Sequence, residues 1–218
     1  MATNLKQILL ITILLSIGAF TVLMFTKVIP YLSFEPAINF LSTKTDQVLQ
    51  KSVFQWSFYI HIISSWFVMV AGILQFIPYI LKNYPIIHRI SGKVYVILVL
   101  FLAAPSGLGL AFYANGGLST KVGFSCQCIV WWFITFFAWQ EIRRKNWLLH
   151  TQAMLRSYAV TLAAMSLRVG SYVMIYHFGT KPIETYLTVT WLSWVGNLLI
   201  VEVLIKVGLA KYLLKYHK

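Results

Sequence analysis

A chain of 218 residues that is 59% hydrophobic and only 11% charged is not an ordinary soluble domain, because such domains carry about 25% charged residues. Its net charge of +13 comes from basic residues at the ends of apolar segments, not from one patch, so nucleic acid is excluded as a partner. With five acidic residues in all, a mechanism driven by paired carboxylates has few candidates. No G-x-S-x-G, H-E-x-x-H, P-loop or G-x-G-x-x-G string is present.

Six apolar stretches follow along the chain: Ile8–Leu32, Val53–Leu81, Val94–Tyr113, Val122–Ala138, Trp147–Phe178 and Tyr186–Leu209. A helix of about 20 apolar residues crosses a bilayer core. The expected fold is all-α: a polytopic bundle of six transmembrane helices forming one domain over residues 1–218. The first stretch exceeds the 7–15 residues of a signal-peptide core and has no small-x-small site before Pro30, so it is expected to be a retained helix. The connection Ser33–Ser52 has room for a short interfacial helix. Asn83–Tyr–Pro85 breaks the chain after the second stretch. Pro105, Gly107 and Gly109 predict a kink in the third. Turns are expected at Ala114–Asn–Gly–Gly117 and Gly179–Thr–Lys–Pro182. Aromatic residues crowd the ends of the stretches, as at a membrane interface.

The fourth stretch holds Cys126 and Cys128. Two residues apart on a helix, they point in different directions. Such a pair either packs as two small side chains or binds metal and cycles its redox state.

Eleven basic residues fall on one side of this topology: Lys6, Lys82, Arg89, Lys93, Arg143, Arg144, Lys145, Lys206, Lys211, Lys215 and Lys218. Five fall on the other: Lys27, Lys44, Lys51, Lys121 and Lys181. Cytoplasmic loops collect Lys and Arg, so both termini are expected to be cytoplasmic. That surface should attract anionic lipids.

Ionisable residues inside spans are costly and are functional candidates by default. His61 and Arg168 are each about 12 Å in from the outer face, at 1.5 Å per residue. Arg156 and Glu202 lie about 12 and 8 Å in from the cytoplasmic face, which predicts an ion pair tying the fifth helix to the sixth. On a continuous fifth helix His150, Met154, Ser157, Thr161, Met165, Arg168 and Tyr172 share one face, expected to look into the bundle or into water. His61, Ser65, Val68, Gly72 and Gln75 form a weaker version on the second. His61 has three readings: a hydrogen bond across helices, a haem or metal ligand, or a proton relay. His88, in a cytoplasmic loop beside Arg89, could meet His150 as a metal or haem site. His217 is expected to be solvated in a basic tail.

Several strings carry a resemblance. They are Tyr59–Ile–His–Ile62 with Gly72–Ile–Leu–Gln–Phe76; His88–Arg–Ile–Ser–Gly–Lys–Val–Tyr95; Gly116–Gly117; His150–Thr–Gln–Ala–Met–Leu–Arg–Ser157, running on through Ala163–Ala–Met–Ser–Leu–Arg168; and Trp191–Leu–Ser–Trp–Val–Gly–Asn197 with Glu202. From about Gln55 to Glu202 the chain resembles domain of unknown function 2306, a family of bacterial multi-helix membrane proteins. Ala153 departs from that pattern, which often has Trp there. The resemblance implies a multi-helix membrane protein, and the expected location is the bacterial cytoplasmic membrane. It also implies that His61, His88, Arg89, His150, Arg156, Arg168, Asn197 and Glu202 are pattern positions, the last two as structural polar groups.

Three functions follow as expectations. The first is redox: a b-type haem or a quinone among the second, third and fifth helices. His61, His88 and His150 would be its metal ligands or hydrogen-bond donors, and Arg156 or Arg168 would face an anionic group. The second is a non-catalytic subunit or assembly factor with membrane-protein partners. The third is a small-solute or proton-coupled transporter. Histidines pointing at unrelated neighbours would retire the redox reading.

Overall fold

A computed structural model of the chain describes residues 2–36 and 38–216, with side chains from Gln7 onward. His217, Lys218 and the Lys6 side chain, named above for the basic tail and the charge balance, lie outside the described residues. Every regular element described is helical.

Helix α1 (Ala2–Val28) is followed by 3-10 turns at Ile29–Ser33 and Leu41–Thr43 and by the short α2 (Asp46–Leu49). Helix α3 (Ser52–Ile73) ends in a 3-10 turn at Leu74–Phe76. Proline then twice starts a new helix: α4 (Pro78–Asn83) and α5 (Pro85–Leu98) each carry Pro in the first turn, where its missing N–H costs nothing. A π-helical segment, Val99–Ala103, joins α5 to α6 (Ala104–Ala111). After the turn with positive φ at Gly116 and Gly117 come α7 (Leu118–Arg143), α8 (Trp147–Thr161), α9 (Ala163–Phe178), α10 (Pro182–Lys206) and α11 (Leu209–Leu214).

Five spans are long and apolar enough to cross a membrane: Gln7–Ser33, Ser52–Phe76, Pro85–Ala111, Leu118–Arg143 and Pro182–Lys206. The pair α8 and α9 makes a sixth when counted as one crossing, but it bends by 44°. The outer surface is apolar: Leu15 is 69% and Phe101 71% exposed, as suits a protein solvated by lipid. Lys82, Arg89, Arg143, Arg144, Lys145 and Lys206 share what is called here the basic end. Segments 29–51, 112–117 and 179–181 form the loop end.

Three expectations need correction. The third span begins at Pro85, not Val94, because Ser91–Gly92–Lys93 continue a helix that Pro85 has already started. His88 and Arg89 are therefore helical, not in a loop. The fifth stretch is not one straight helix, so the face from His150 to Tyr172 is split at Leu162. Below the split Met154, Ser157 and Thr161 are buried. Above it Arg168 and Tyr172 are exposed.

Candidate functional site

The pattern histidines hold the backbone. The His61 Nδ1 lies 2.9 Å from the Ala103 carbonyl. A carbonyl has no proton to give, so Nδ1 carries the hydrogen. The Ser65 hydroxyl, one turn on, lies 3.5 Å from both ring nitrogens. Ala103 ends the π-helical segment two residues before Pro105, where the regular i→i−4 ladder fails. Leu102 accepts from the Ser106 hydroxyl at 2.5 Å, and Leu100 from the Trp132 indole at 3.0 Å. His61 is thus one of three side chains that satisfy carbonyls at this bulge. A Cβ added at Gly107 would meet His61 Cε1 and Cys128 Sγ, each at 2.9 Å, so the ring is closely packed. Both cysteines are free thiols.

His150 does the same for α7 and α8: its Nδ1 donates to the Ala138 carbonyl at 2.8 Å. His88 is partly buried near the start of α5, and its carbonyl accepts from Gln75 Nε2 at 3.2 Å. Arg89 is exposed at the basic end and turns back to the Pro85 carbonyl. Among the described residues no group of three or more His, Cys, Asp or Glu side chains is placed to hold a metal ion. His61 and His150 address carbonyls on different helices.

Arg156 and Glu202 do pair, with Nη2 to Oε2 at 3.0 Å and Nε to Oε1 as the second contact. This fork joins α8 to α10 and leaves the carboxylate 40% exposed. Arg168 differs from the expectation of an inward-facing charge. It is exposed on α9, and its guanidinium donates to the Ala164 carbonyl one turn back.

The centre of the bundle is a hydroxyl cluster. Tyr95 OH on α5 lies 2.8 Å from both Ser157 and Thr161 on α8. Ser157 lies 2.6 Å from Thr135 on α7. Tyr95, Ser157 and Thr135 are wholly buried, so each hydroxyl needs these partners. Gly72 on α3 lets the ring of Tyr158 approach: a Cβ there would sit 2.2 Å from Tyr158 Cε2 and 3.0 Å from Tyr95 Cε2. Gln75 closes the α3–α5 contact with a 2.6 Å bond to Ser91, beside Gly92. The glycines, Gln75, Ser91, Tyr95 and Ser157 all belong to the sequence strings quoted above.

A cavity of about 470 Å³ lies beside this centre, within the range of about 300–1,000 Å³ for small-molecule sites. Its walls come from α1, α8, α9, α10 and α11, with Phe76 at its base. Among the described residues no charged side chain or histidine lines it. Tyr158 belongs to both places: its ring faces the cavity, and its hydroxyl donates to the Met69 carbonyl at 3.2 Å. The polar groups in the wall are few. The helix break at Leu162 leaves the Ala159 carbonyl without a donor from Ala163, and Asn197 Nδ2 replaces it at 3.0 Å. Asn197 Oδ1 accepts from the Ser166 hydroxyl on the far side of the break at 2.7 Å. Asn197 thus stitches α8 and α9 together, and it lines the cavity with Ser166. Tyr212, hydrogen-bonded to Tyr216 at 2.9 Å, stands in the wall contributed by α11.

Residues 58–205, more than half of the chain, match the family described as predicted membrane protein DUF2306. The chain belongs to that family. No curated protein and no solved structure matches it. The DUF2306 segment contains the hydroxyl cluster, the Arg156–Glu202 pair and the α8–α10 wall of the cavity. Helices α1 and α11, which supply the remaining walls, lie outside it. This DUF2306 chain is an integral membrane protein of helical architecture. Sequence reasoning missed Tyr95, Thr135, Tyr158 and the cavity. Tyr95 and Ser157 stood at the ends of quoted strings, and that was the available signal.

Proposed function

We propose that this protein binds a neutral, elongated lipophile taken from the bilayer, of the chemical class of an isoprenoid quinone. One observation carries the proposal: a cavity of about 470 Å³ whose wall is apolar except for Asn197, Ser166, Tyr212 and a few hydroxyls. Among the described residues a charged headgroup would meet no ionised partner there, and it would cost too much to desolvate. A carbonyl or hydroxyl would find the second N–H of Asn197, or the Tyr212 hydroxyl near the basic end. This is the quinone branch of the redox expectation, reduced to binding. The haem branch has no support in the positions of the histidines.

The test is direct. Protein purified in mild detergent is extracted with organic solvent and assayed for co-purified lipophiles by mass spectrometry. Quinone binding is then titrated by quenching of tryptophan fluorescence. Val201→Trp, which fills the cavity, should abolish binding, and Asn197→Leu should weaken it about tenfold. Unchanged binding in Val201→Trp would reject the cavity as the site. An empty, non-binding wild type would favour the non-catalytic subunit, for which the half-exposed Arg156–Glu202 pair is a surface landmark. The carrier reading draws less support, because the polar face it needed is split at Leu162.

The reading also sets the molecule in a bacterial cytoplasmic membrane with its basic end inward, where the lysines and arginines would meet anionic headgroups.

A further inference from the structure

The loop end carries a second pocket, which shares no residue with the cavity. Its volume is about 180 Å³. That is several times a water's share of about 30 Å³ but below the range of about 300–1,000 Å³ for whole small molecules. A compact group fits it, and a cofactor does not. Four rings line it: Phe34, which follows the first 3-10 turn, and Phe54, Phe58 and Tyr59 on the first two turns of α3. The rings touch in sequence. Centroids are 4.9 Å apart from Phe34 to Tyr59, 5.3 Å from Tyr59 to Phe58 and 6.1 Å from Phe58 to Phe54. The planes of Tyr59 and Phe58 stand at 79°, so the row bends around a corner instead of stacking flat.

Phe34 is the unusual member. Its φ of 58° is left-handed, a conformation that a bulky residue adopts at a cost. It is 65% exposed, so burial in the core does not hold it there. Glycine would serve this turn better, and what phenylalanine adds is a ring at the pocket.

The charges near the pocket favour a cation. Glu35 lies between the lining residues Phe34 and Pro36. Its side chain is exposed, and among the described residues no basic group lies within ion-pair distance of it. The lysines of this end are engaged on rings outside the lining: Lys44 lies 4.7 Å from the centre of Phe40, and Lys51 5.5 Å from that of Tyr113. Those rings pack in turn on Phe58 and Phe54, so the outer rings of the same cluster already hold ammonium groups. An anion would meet Glu35 and the negative ring faces. A primary ammonium needs acceptors for three N–H groups, and among the described residues the polar side chains of the lining are Gln55 and Tyr59 alone. A quaternary ammonium has no N–H to satisfy, and its methyl groups suit aromatic and aliphatic walls.

We propose that this pocket is an aromatic cage for a trimethylammonium group, as carried by free choline or by the headgroup of phosphatidylcholine.

Two measurements on the full-length protein in a maltoside detergent test this. Isothermal titration calorimetry uses choline as the probe. Native mass spectrometry uses phosphatidylcholine in competition with phosphatidylglycerol. Choline binding marks a soluble ligand, and retention of phosphatidylcholine alone marks a lipid; either supports the cage. Dimethylbutanol, the uncharged carbon isostere of choline, should bind about tenfold more weakly. Tyr59→Leu, which keeps apolar bulk without the ring, should weaken binding about tenfold, and Glu35→Gln about threefold. Phe34→Gly should also weaken it about tenfold while the melting temperature barely moves, because the left-handed turn then carries its preferred residue. That combination separates a binding ring from a structural one, and it stands if Tyr59→Leu does not fold. Failure of both probes to bind, equal binding of dimethylbutanol, or undiminished binding in Phe34→Gly would overturn the proposal.

Discussion

At the scale of single residues, the buried polar groups do mostly structural work with few partners each, so their loss should be legible. His61 donates to Ala103 at a point where the helix has lost its own ladder. His61→Ala removes the buried imidazole bond to that carbonyl and leaves the Ser106 hydroxyl at 3.3 Å as a weaker donor, so thermal unfolding in detergent should show a loss of about 1–3 kcal/mol. The Arg156–Glu202 fork is only partly screened. Arg156→Gln or Glu202→Gln should each cost about 2 kcal/mol, and the exchanged pair Arg156→Glu with Glu202→Arg should recover part of it. A double exchange no more stable than either single reversal would show that the pairing is not what matters. Outside the spans, Lys44 donates to the Tyr113 carbonyl at 2.7 Å and to Asn115 Oδ1 at 2.8 Å. Burial, and then the nearby Lys121, push its amine down to about 8 from 10.5. Between those two values the unfolded chain holds a proton that the folded one has released, so this site's contribution to stability rises with pH through that window. Acylation of Lys44, followed by peptide mass spectrometry, should show a midpoint near pH 8; a midpoint near 10 would contradict the burial.

At the scale of helices, local signals carried far but not everywhere. Pro85 and Pro182, expected in the breaks between spans, instead open α5 and α10, while the glycine turns lie where they were expected. The break at Leu162 left no such mark. Thr161–Leu162–Ala163 holds neither Gly nor Pro, and the bend is supported by Asn197, which is distant in sequence. Tyr95 was hidden for a related reason: a tyrosine in an apolar run reads as apolar filling until a partner hydroxyl is placed beside it. Gly72 shows how tightly α3, α5 and α8 meet. Gly72→Ala puts a methyl group into the Tyr158 ring and should cost about 1–3 kcal/mol. Tyr158→Leu should act as its suppressor, which a stability assay of the double variant can check.

At the scale of the whole molecule, apolar length and the pattern of punctuation were enough to predict a membrane bundle. They were not enough to predict its cavity, because that volume depends on how α1 and α11 are set against α8–α10. The convergence of histidines was likewise beyond reach, since it depends on helix order rather than on depth. The basic end should be reactive from the cytoplasm: a cysteine placed at Lys215 should be protected from an impermeant thiol reagent in intact cells, and one at Lys44 labelled. The 44° elbow has a further consequence. Helix α8 is anchored on all sides with nine buried residues, while α9 beyond the joint anchors only one. Two lengths of one crossing are therefore held with unequal strength. Amide hydrogen exchange should run far ahead in residues 170–178 while the stretch before the joint stays closed, so the outer arm can sway on a post that does not move.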